Sequence, residues 1–391
     1  MTEQGHRLLY VNPAAESGGG EVVLLNLLRY LPRTAIRPEV ALLSRGPLAA
    51  ELRSLGVRTY VLPAGRFRQP WRLLCTLWHL VTLTRHGVAL VDSAGAKGHI
   101  YGGIAAWLAG IPAVWRLQDV PTLGDPWTRL AGVVPAAGIV ANAKATLAAY
   151  LQVQPRQPPR STVIYPGVEY NDTTVASRLG SSRIPFMHDE FGLPSGTLLV
   201  TMVGRLQHWK GQHIFLEAAA NVLKWRDDVH FLVVGATMFN LEPEYALQLK
   251  NLVEREGIAN HVTFSGQRND VQDIISLTDV LIHASITPEP FGQVIVEGMA
   301  QGKAVIAMAA GGPLEIISDD VDGLLVPPGD ASALAHAILA LLDDPARRDR
   351  LGQAAMLTVR ERFTVERMAT EFIHFYERIL SNGGNHSPKG T

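Results

Sequence analysis

Residues Thr287–Glu297 read TPEPFGQVIVE, and the prediction of the fold starts from this stretch. The apolar run Val280–Ile282 before it predicts a buried strand, and the residues after the turn follow a helical pattern. A strand–turn–helix junction places backbone N–H groups and the positive end of a helix at the carboxyl edge of a sheet, where an anion can bind. Glu289 lies in the turn and Glu297 lies about two turns into the helix. The two carboxylates can therefore contact two parts of one elongated ligand.

The composition is that of a chain with two globular domains. Its 391 residues are 47% apolar and 18% charged, and this length exceeds one ordinary core. The single cysteine, Cys75, excludes an internal disulfide framework and a cysteine-rich metal site, and it favours a reducing compartment. We expect no signal peptide, because Met1–Arg7 is polar. We also expect no transmembrane helix, because no apolar run reaches ~20 residues. The predicted location is cytoplasmic.

Charge is divided unevenly between the two halves of the chain. Residues 1–170 contain 17 Lys and Arg against 9 Asp and Glu, giving +8, whereas residues 171–391 contain 18 against 27, giving −9. This asymmetry indicates that the N-terminal half faces an anionic partner, such as a membrane surface or a phosphorylated acceptor. The alternative is an uneven surface charge without a partner.

Strands and helices alternate through both halves. Apolar runs predict strands at 8–11, 40–43, 59–62, 88–91, 113–117, 138–141, 197–203, 229–234, 261–264, 280–282, 304–308 and 323–326. Helical patterns include 47–55, 70–85, 100–109 and 243–256. This alternation predicts an α/β fold with parallel sheets covered on both faces, and functional residues at the carboxyl ends of the strands.

A run of three glycines, Gly18, Gly19 and Gly20, separates the first predicted strand from a helical pattern. Glycine lets the backbone approach a ligand closely. The spacing is not G-x-G-x-x-G, so the dinucleotide-binding fingerprint is not met. A plain flexible loop explains the run equally well.

The segment Gly65–Arg85 combines basic and aromatic residues with leucines. It contains Arg66, Phe67, Arg68, Trp71, Arg72, Trp78 and His79. On an amphipathic helix this composition is typical of segments that lie on a membrane surface. The alternative is an ordinary helix that covers the sheet.

Two cations flank the first strand–helix turn of the second half. Arg205 and Lys210 stand five residues apart at a helix start, which suits a diphosphate. They can neutralise the charge of a leaving group without a metal, and we expect no D-x-D motif to serve a bound divalent ion. A solvated pair on a loop is the alternative. Because such turns gather along one sheet edge, we expect both cations to converge with Glu289 and Glu297. We interpret His283, at the same edge, as a packed or solvated histidine.

Together these motifs resemble those of the retaining nucleotide-sugar glycosyltransferases of family 4, which have the GT-B fold. The resemblance covers nearly the whole chain. It is carried by GGGE at 18–21, the D-S…K…G…A-A…G-I-P run at 92–112, ANAKAT at 141–146, IYPGVE at 164–169, V-G-R-L…K-G at 203–211, P-E-P-F-G-x-x-x-x-E at 288–297 and G-G-P-x-E at 311–315. The E-x7-E element within this order of motifs is highly specific.

The resemblance implies a role for each matching residue. Arg205 and Lys210 bind the donor diphosphate, Glu289 lies at the transferred sugar as the catalytic residue, and Glu297 binds the ribose hydroxyls. An ionised carboxylate suits this role, because it accepts strong hydrogen bonds from hydroxyl groups. The other implied donor-binding residues are Gly18, Gly19, Gly20, Gly235, Gln267, Arg268, Pro290, Phe291 and Gly292.

One position departs from the family pattern. Many relatives have a histidine at the end of the strand that here reads WRLQD, whereas this chain has Gln118. Glutamine cannot act as a general base. Asp119 is a substitute candidate, with a turn or helix cap as its alternative role, and an internal-return mechanism needs no base. Lys97, Arg116 and Asn142 are the acceptor-binding candidates.

The resemblance also divides the chain. It implies a Rossmann-like acceptor domain over 1–170, joined by a C-terminal helix at about 365–380, and a Rossmann-like donor domain over 196–362, with the two parallel sheets facing across a cleft. Residues 171–195 are polar and read as a linker. Residues 382–391 read as a flexible tail.

The predicted function is transfer of a sugar from a nucleotide-diphosphate donor to a hydroxyl acceptor, with retention of configuration and without a metal. A glycan or lipid-linked acceptor in polysaccharide, lipopolysaccharide or glycolipid synthesis is expected, together with an anionic membrane surface and no nucleic acid. The alternatives are another GT-B enzyme, such as a sugar-nucleotide epimerase or a phosphorylase, and a non-catalytic subunit that binds sugar nucleotides.

Overall fold

The computed structural model describes residues 5–16, 18–64, 70–122, 125–154, 160–170, 190–237, 242 and 244–383. The chain folds into two compact units. Unit 1 comprises residues 1–167 and 365–391, and unit 2 comprises residues 168–364. Most of the predicted linker, the basic positions 66 and 68, and residues 384–391 of the predicted tail lie outside the described residues.

Unit 1 has a seven-stranded parallel sheet in the order β3-β2-β1-β4-β5-β6-β7. Its strands are β1 His6–Asn12, β2 Ile36–Leu42, β3 Arg58–Val61, β4 Leu90–Ala94, β5 Ala113–Leu117, β6 Gly138–Ala141 and β7 Ser161–Val163. The order reverses between β1 and β4, and loops at such a reversal diverge to leave a crevice at the carboxyl ends of the strands.

The helices of unit 1 cover both faces of this sheet. They are α1 Gly19–Tyr30, α2 Leu48–Ser54, α3 Pro70–Arg85, α4 Gly95–Ala109, α5 Pro126–Ala131, α6 Lys144–Val153 and, from the end of the chain, α14 Val365–Gly383. Leucines of α1 and α2 share one core with the aromatic residues of α14. Helices α3 to α6 pack on the opposite face.

Helix α14 belongs to unit 1 although it follows unit 2 in the chain. Its apolar face, which includes Phe372, Phe375 and Tyr376, is buried. The Tyr376 hydroxyl donates a 2.7 Å hydrogen bond to Oδ2 of Asp92 in β4. This bond joins the last helix to the middle of the sheet.

Unit 2 has a six-stranded parallel sheet in the order β10-β9-β8-β11-β12-β13. The strands are β8 Leu198–Val203, β9 Val229–Val234, β10 Val262–Gly266, β11 Val280–His283, β12 Ala304–Met308 and β13 Leu324–Val326. The described α-helices are α7 Gln212–Val222, α8 Tyr245–Arg255, α9 Val271–Leu277, α10 Gln293–Ala300, α11 Pro313–Ile316, α12 Ala331–Leu342 and α13 Pro345–Arg362, and short 3₁₀ helices span His208–Lys210 and Ala259–His261.

Helix α4 begins earlier than the sequence predicts. The pattern places its start near Ile100, but it begins at Gly95, immediately after β4. Glycine usually indicates a loop, whereas here it allows close packing. A Cβ atom at Gly98 would lie 3.0 Å from the carbonyl oxygen of Val11, and one at Gly102 would lie 3.1 Å from the Val11 side chain. The glycines therefore let α4 lie directly on the sheet.

Candidate functional site

The loops that follow β8 and β11 meet at the carboxyl edge of the unit 2 sheet. The backbone N–H of Ile286 donates a 2.9 Å hydrogen bond to the carbonyl oxygen of Trp209. Gly211 has φ +76°, and a Cβ atom there would lie 2.0 Å from the carbonyl oxygen of Ala284. Only glycine fits this approach. It brings Lys210 next to residues that lie far away in the sequence.

Glu289 is the centre of a buried cluster of polar side chains. Nζ of Lys210 lies 2.9 and 2.7 Å from its two carboxylate oxygens. Ser285 Oγ donates a 2.7 Å hydrogen bond to Oε2, and His283 Nε2 lies 3.2 Å from the same oxygen. Glu289 is only 8% exposed. Lys210 and Glu289, predicted to share a sheet edge, are in direct contact.

The cluster keeps the carboxyl of Glu289 charged. Burial favours its neutral form, but the charge of Lys210 and the hydrogen bond from His283 hold its pKa well below the usual value. Burial lowers the pKa of Lys210, and Glu289 counteracts that shift. A fixed negative charge therefore lies at the end of β11.

The turn that carries Glu289 is held from the other side by the loop after β12. The N–H of Gly312 donates a 2.8 Å hydrogen bond to the carbonyl oxygen of Glu289. Gly311 has φ +75°, and a Cβ atom there would lie 2.4 Å from the same oxygen. Phe291 is buried, with its ring centroid 5.9 Å from that of Phe363. These contacts fix the backbone on both sides of Pro290.

Glu297 is partly buried in α10, about one and a half turns after Gly292, which precedes the helix at φ +106°. Burial raises the pKa of Glu297 to about 7, and the side-chain amides of Gln293 and Gln272 offset part of this shift. The carboxyl group is therefore easily protonated near neutral pH. A ligand that donates hydrogen bonds to it would favour the charged form.

We expect Glu297→Gln to flatten the pH dependence of the stability of the ligand-free protein. The pKa rises from 4.5 to about 7 on folding, so the folded state holds more protons between these values. The stability that these bound protons give the folded state is fully present below the unfolded pKa and is lost as pH rises through 7. Melting temperatures across this range measure it, with Glu254→Gln, an exposed glutamate of α8, as control. Equal slopes for the wild type and Glu297→Gln would contradict the assignment.

The remaining donor-binding candidates of unit 2 follow the neighbouring strands. Gly235, after β9, has φ +139°, and its Cβ position would lie 2.0 Å from the carbonyl oxygen of Gly204. The carbonyl oxygen of Arg205 accepts a 2.7 Å hydrogen bond from Gln212 Nε2. Arg268, after β10, forms ion pairs with Asp270 and Glu190 at 2.7 and 2.5 Å. Gln267, its neighbour in the sequence, is exposed.

In unit 1 the glycine loop lies beside Gln118. A Cβ atom at Gly20 would lie 3.0 Å from Oε1 of Gln118. Asn142 Nδ2 donates a 3.1 Å hydrogen bond to the carbonyl oxygen of Gln118. The loops after β1, β5 and β6 therefore meet at one edge. Gly18 and Gly19 start α1 there, and Asp119 is exposed next to Gln118.

Arg116 lies in the core of unit 1. Its guanidinium forms a buried ion pair with Asp92, and the two side chains are 4% and 0% exposed. Because Asp92 also accepts the Tyr376 hydrogen bond, Arg116 has a structural role, and its assignment to an acceptor stays a prediction. Lys97, in the first turn of α4, is partly buried, and burial lowers its pKa.

Sequence reasoning misses Ser285 and the contact of His283 with Glu289. Ser285 belongs to no motif, and the sequence favours a packed or solvated role for His283. Both are buried. The signal is their spacing, because alternate residues at the end of a strand point to the same side.

Two family models match the chain. The model described as "Glycosyltransferase Family 4" matches residues 17–172, and the model described as "Glycosyl transferases group 1" matches residues 184–357. The first covers the sequence of unit 1 that carries the glycine loop and Gln118. The second covers the Lys210–Glu289 cluster.

Individual proteins are similar over different lengths. The D-inositol 3-phosphate glycosyltransferase of Stackebrandtia nassauensis is 26% identical over 92% of this chain and 87% of its own length. The phosphatidyl-myo-inositol mannosyltransferase of Mycobacterium leprae is 33% identical, but over 49% of this chain and 50% of its own length. The crystal structure of Anabaena HepE in complex with UDP and glucose has a TM-score of 0.85 and 26% identity, covering 95% of this chain and 99% of that one.

Proposed function

Because the chain belongs to the group 1 glycosyltransferases of family 4 and has the GT-B fold, we propose that it transfers a sugar from a nucleoside diphosphate donor to a hydroxyl acceptor. We propose retention of the anomeric configuration and an acceptor that is a glycan or is linked to a lipid. The contact between Lys210 and Glu289 carries this proposal, because a cation that would bind the diphosphate lies next to a charged carboxylate that would face the sugar.

The donor site is proposed to lie along the carboxyl edge of the unit 2 sheet. Lys210 and Arg205 would neutralise the diphosphate, and the backbone N–H groups at the start of α10 would bind a phosphate oxygen. Glu297 would accept hydrogen bonds from the ribose hydroxyls. The complexes of HepE with UDP and with UDP-glucose support a nucleotide sugar as the donor.

The reaction needs a stabiliser of positive charge rather than a strong base. As the bond from the sugar C1 to the phosphate oxygen breaks, positive charge develops at C1, and the Glu289 carboxylate would stabilise it. The acceptor oxygen would bond to C1 on the face that the leaving group vacates. The acceptor proton would pass to the leaving phosphate, so Gln118 would not have to act as a base. The two cations would do the work that a metal does in other transferases.

Names of the relatives indicate where such an enzyme would act. The matched proteins include a phosphatidyl-myo-inositol mannosyltransferase and a lipopolysaccharide core biosynthesis glycosyltransferase. We therefore propose glycolipid, lipopolysaccharide or polysaccharide synthesis, with the protein peripheral on the cytoplasmic face of the membrane.

A thermal-shift panel of nucleotide sugars, beginning with UDP-glucose, tests the donor site. A ligand at ~100 times its Kd adds about 2.7 kcal/mol to the free energy of unfolding, so the matching donor should raise the melting temperature by several degrees. Lys210→Ala should lose this shift, measured against its own ligand-free baseline. Lys224→Ala, which removes an exposed lysine of the same unit, should keep it. No shift with any nucleotide sugar, or a shift retained in Lys210→Ala, would overturn the proposal.

A further inference from the structure

The tryptophans of this chain are concentrated on one helical layer of unit 1. The chain has seven, and four of them are exposed on α3, α4 and α5. They are Trp71, Trp78, Trp107 and Trp127, with exposures of 61%, 69%, 63% and 45%. Single exposed apolar residues are normal. A group of large exposed aromatic residues on adjoining helices indicates an interaction surface.

Helix α3 is apolar on two sides. Leu80 and Val81 are buried and pack against the sheet. Trp71, Leu74 and Trp78 recur at helical spacing on the outer side, where all three are more than 60% exposed. The core of unit 1 does not use this outer stripe. An apolar stripe that contributes nothing to the core fits an external apolar environment.

The outer stripe continues onto α4 and α5. Helix α4 packs against both α3 and α5, and Arg85 at the end of α3 donates a 3.2 Å hydrogen bond to the carbonyl oxygen of Leu108. Trp107 and Leu108 are exposed at the end of α4, and Leu130 is exposed on α5. The exposed apolar residues therefore extend across three neighbouring helices.

The four helices of this layer carry only positively charged residues among their ionised side chains. Helices α3, α4, α5 and α6 contain no aspartate or glutamate. Their charged residues are Arg72, Arg85, Lys97, Arg129 and Lys144. Helices α1, α2 and α14, on the opposite face of the sheet, contain Glu21, Glu51, Glu366, Glu371 and Glu377. Asp125, just before α5, is engaged as its N-cap, where it accepts hydrogen bonds from two backbone N–H groups.

We propose that the outer face of α3, α4 and α5 docks onto an anionic lipid bilayer. Tryptophan favours the level of the lipid headgroups, where its ring is apolar and its N–H can be hydrated. Arg72, Arg85 and Arg129 would contact lipid phosphates, and the absence of carboxylates from these helices avoids repulsion. Within the described residues no helix is long and apolar enough to cross a membrane. The inference deepens the proposed peripheral location by assigning the surface that makes the contact.

The position of Cys75 allows a direct measurement on the full chain. It is the only cysteine in the sequence and is exposed on α3, between Leu74 and Trp78. An environment-sensitive fluorophore attached there should shift to the blue when vesicles of phosphatidylcholine and phosphatidylglycerol are added at low salt. Vesicles of phosphatidylcholine alone should give a much smaller shift. High salt should reduce the binding, because it screens the arginines.

Flotation of the unlabelled protein with the same vesicles tests the tryptophans. Trp71→Ser combined with Trp78→Ser should lower the partition coefficient by roughly tenfold or more. Trp225→Ser is the matched control, since Trp225 is 79% exposed but lies in unit 2, and it should bind like the wild type. Unchanged melting temperatures confirm that the variants fold.

Three results would overturn the inference. They are no flotation with anionic vesicles at low salt, an equal loss in Trp225→Ser, and tighter binding of the wild type to soluble heparin than to the vesicles. The donor-induced thermal shift should be the same in the tryptophan variants as in the wild type. If no nucleotide sugar raises the melting temperature while the protein still floats with anionic vesicles, the proposed function is wrong and the docking surface is still supported.

Discussion

Glu289→Gln is expected to lower kcat for sugar transfer by about 10²–10³-fold. Glutamine keeps the size of the side chain and removes the charge that Lys210, Ser285 and His283 hold in place. If that charge stabilises the sugar in the transition state, its loss should lower kcat. At low pH, where Lys210 stays protonated, the affinity for the donor should not change. The measurement is the initial rate of nucleoside diphosphate release with the donor identified by thermal shift.

The same variant should change the pH dependence of donor binding. Burial already lowers the pKa of Lys210, and Glu289 is what counteracts it. Without the carboxylate the pKa of Lys210 falls further. As pH is raised, the variant should therefore lose its affinity for the donor earlier, at a lower pH than the wild type. Glu254→Gln, an exposed change in the same unit, should alter neither quantity. A wild-type rate in Glu289→Gln would remove Glu289 from the catalytic role.

Arg116→Met is expected to lower the free energy of unfolding by about 3–5 kcal/mol, because it leaves the charge of Asp92 buried without its partner. Burial raises the pKa of Asp92, and Arg116 and Tyr376 oppose that shift. Without Arg116 the folded pKa rises further, so the folded variant binds more protons than its unfolded state. Its deficit in stability should therefore shrink as pH falls. Urea denaturation at neutral and at acidic pH measures both effects.

Two further variants separate the buried pair from an ordinary loss of charge. Asp92→Asn combined with Arg116→Met should recover much of the stability, since no charge is then left buried. Arg226→Met breaks the surface ion pairs with Asp228 and Asp343 and should cost ~1 kcal/mol or less. If Arg116→Met costs no more than Arg226→Met, the buried pair does not stabilise unit 1.

Strong apolar runs explain why the fold class could be predicted from the sequence. The buried strands Val229–Val234 and Ala304–Met308 have the predicted bounds, and the predicted α/β fold of GT-B type is confirmed. The predicted start of α4 was wrong because Gly98 serves packing rather than a loop. The order of the strands depends on contacts between distant segments, which no local pattern records.

The candidate site could likewise be predicted only in part from the sequence. That Lys210 and Glu289 share a sheet edge follows from strand–helix alternation, but their direct contact depends on the approach of Gly211 to Ala284. The burial of Arg116 could not be predicted from the sequence. Its position after Trp115 gives no sign that it points into the core, because its environment is completed by Tyr376, far along the chain.

The membership of α14 in unit 1 has a consequence for biosynthesis. Unit 2 is one continuous segment, whereas unit 1 is interrupted by it. The first and last residues of unit 2 lie close together, since the Val168 N–H donates a 2.8 Å hydrogen bond to the carbonyl oxygen of Phe363. A ribosome therefore completes unit 2 before it releases Tyr376. Until then the nascent sheet of unit 1 lacks its last cover, and a nonsense mutation before the start of α14 would leave that sheet exposed for chaperones and proteases.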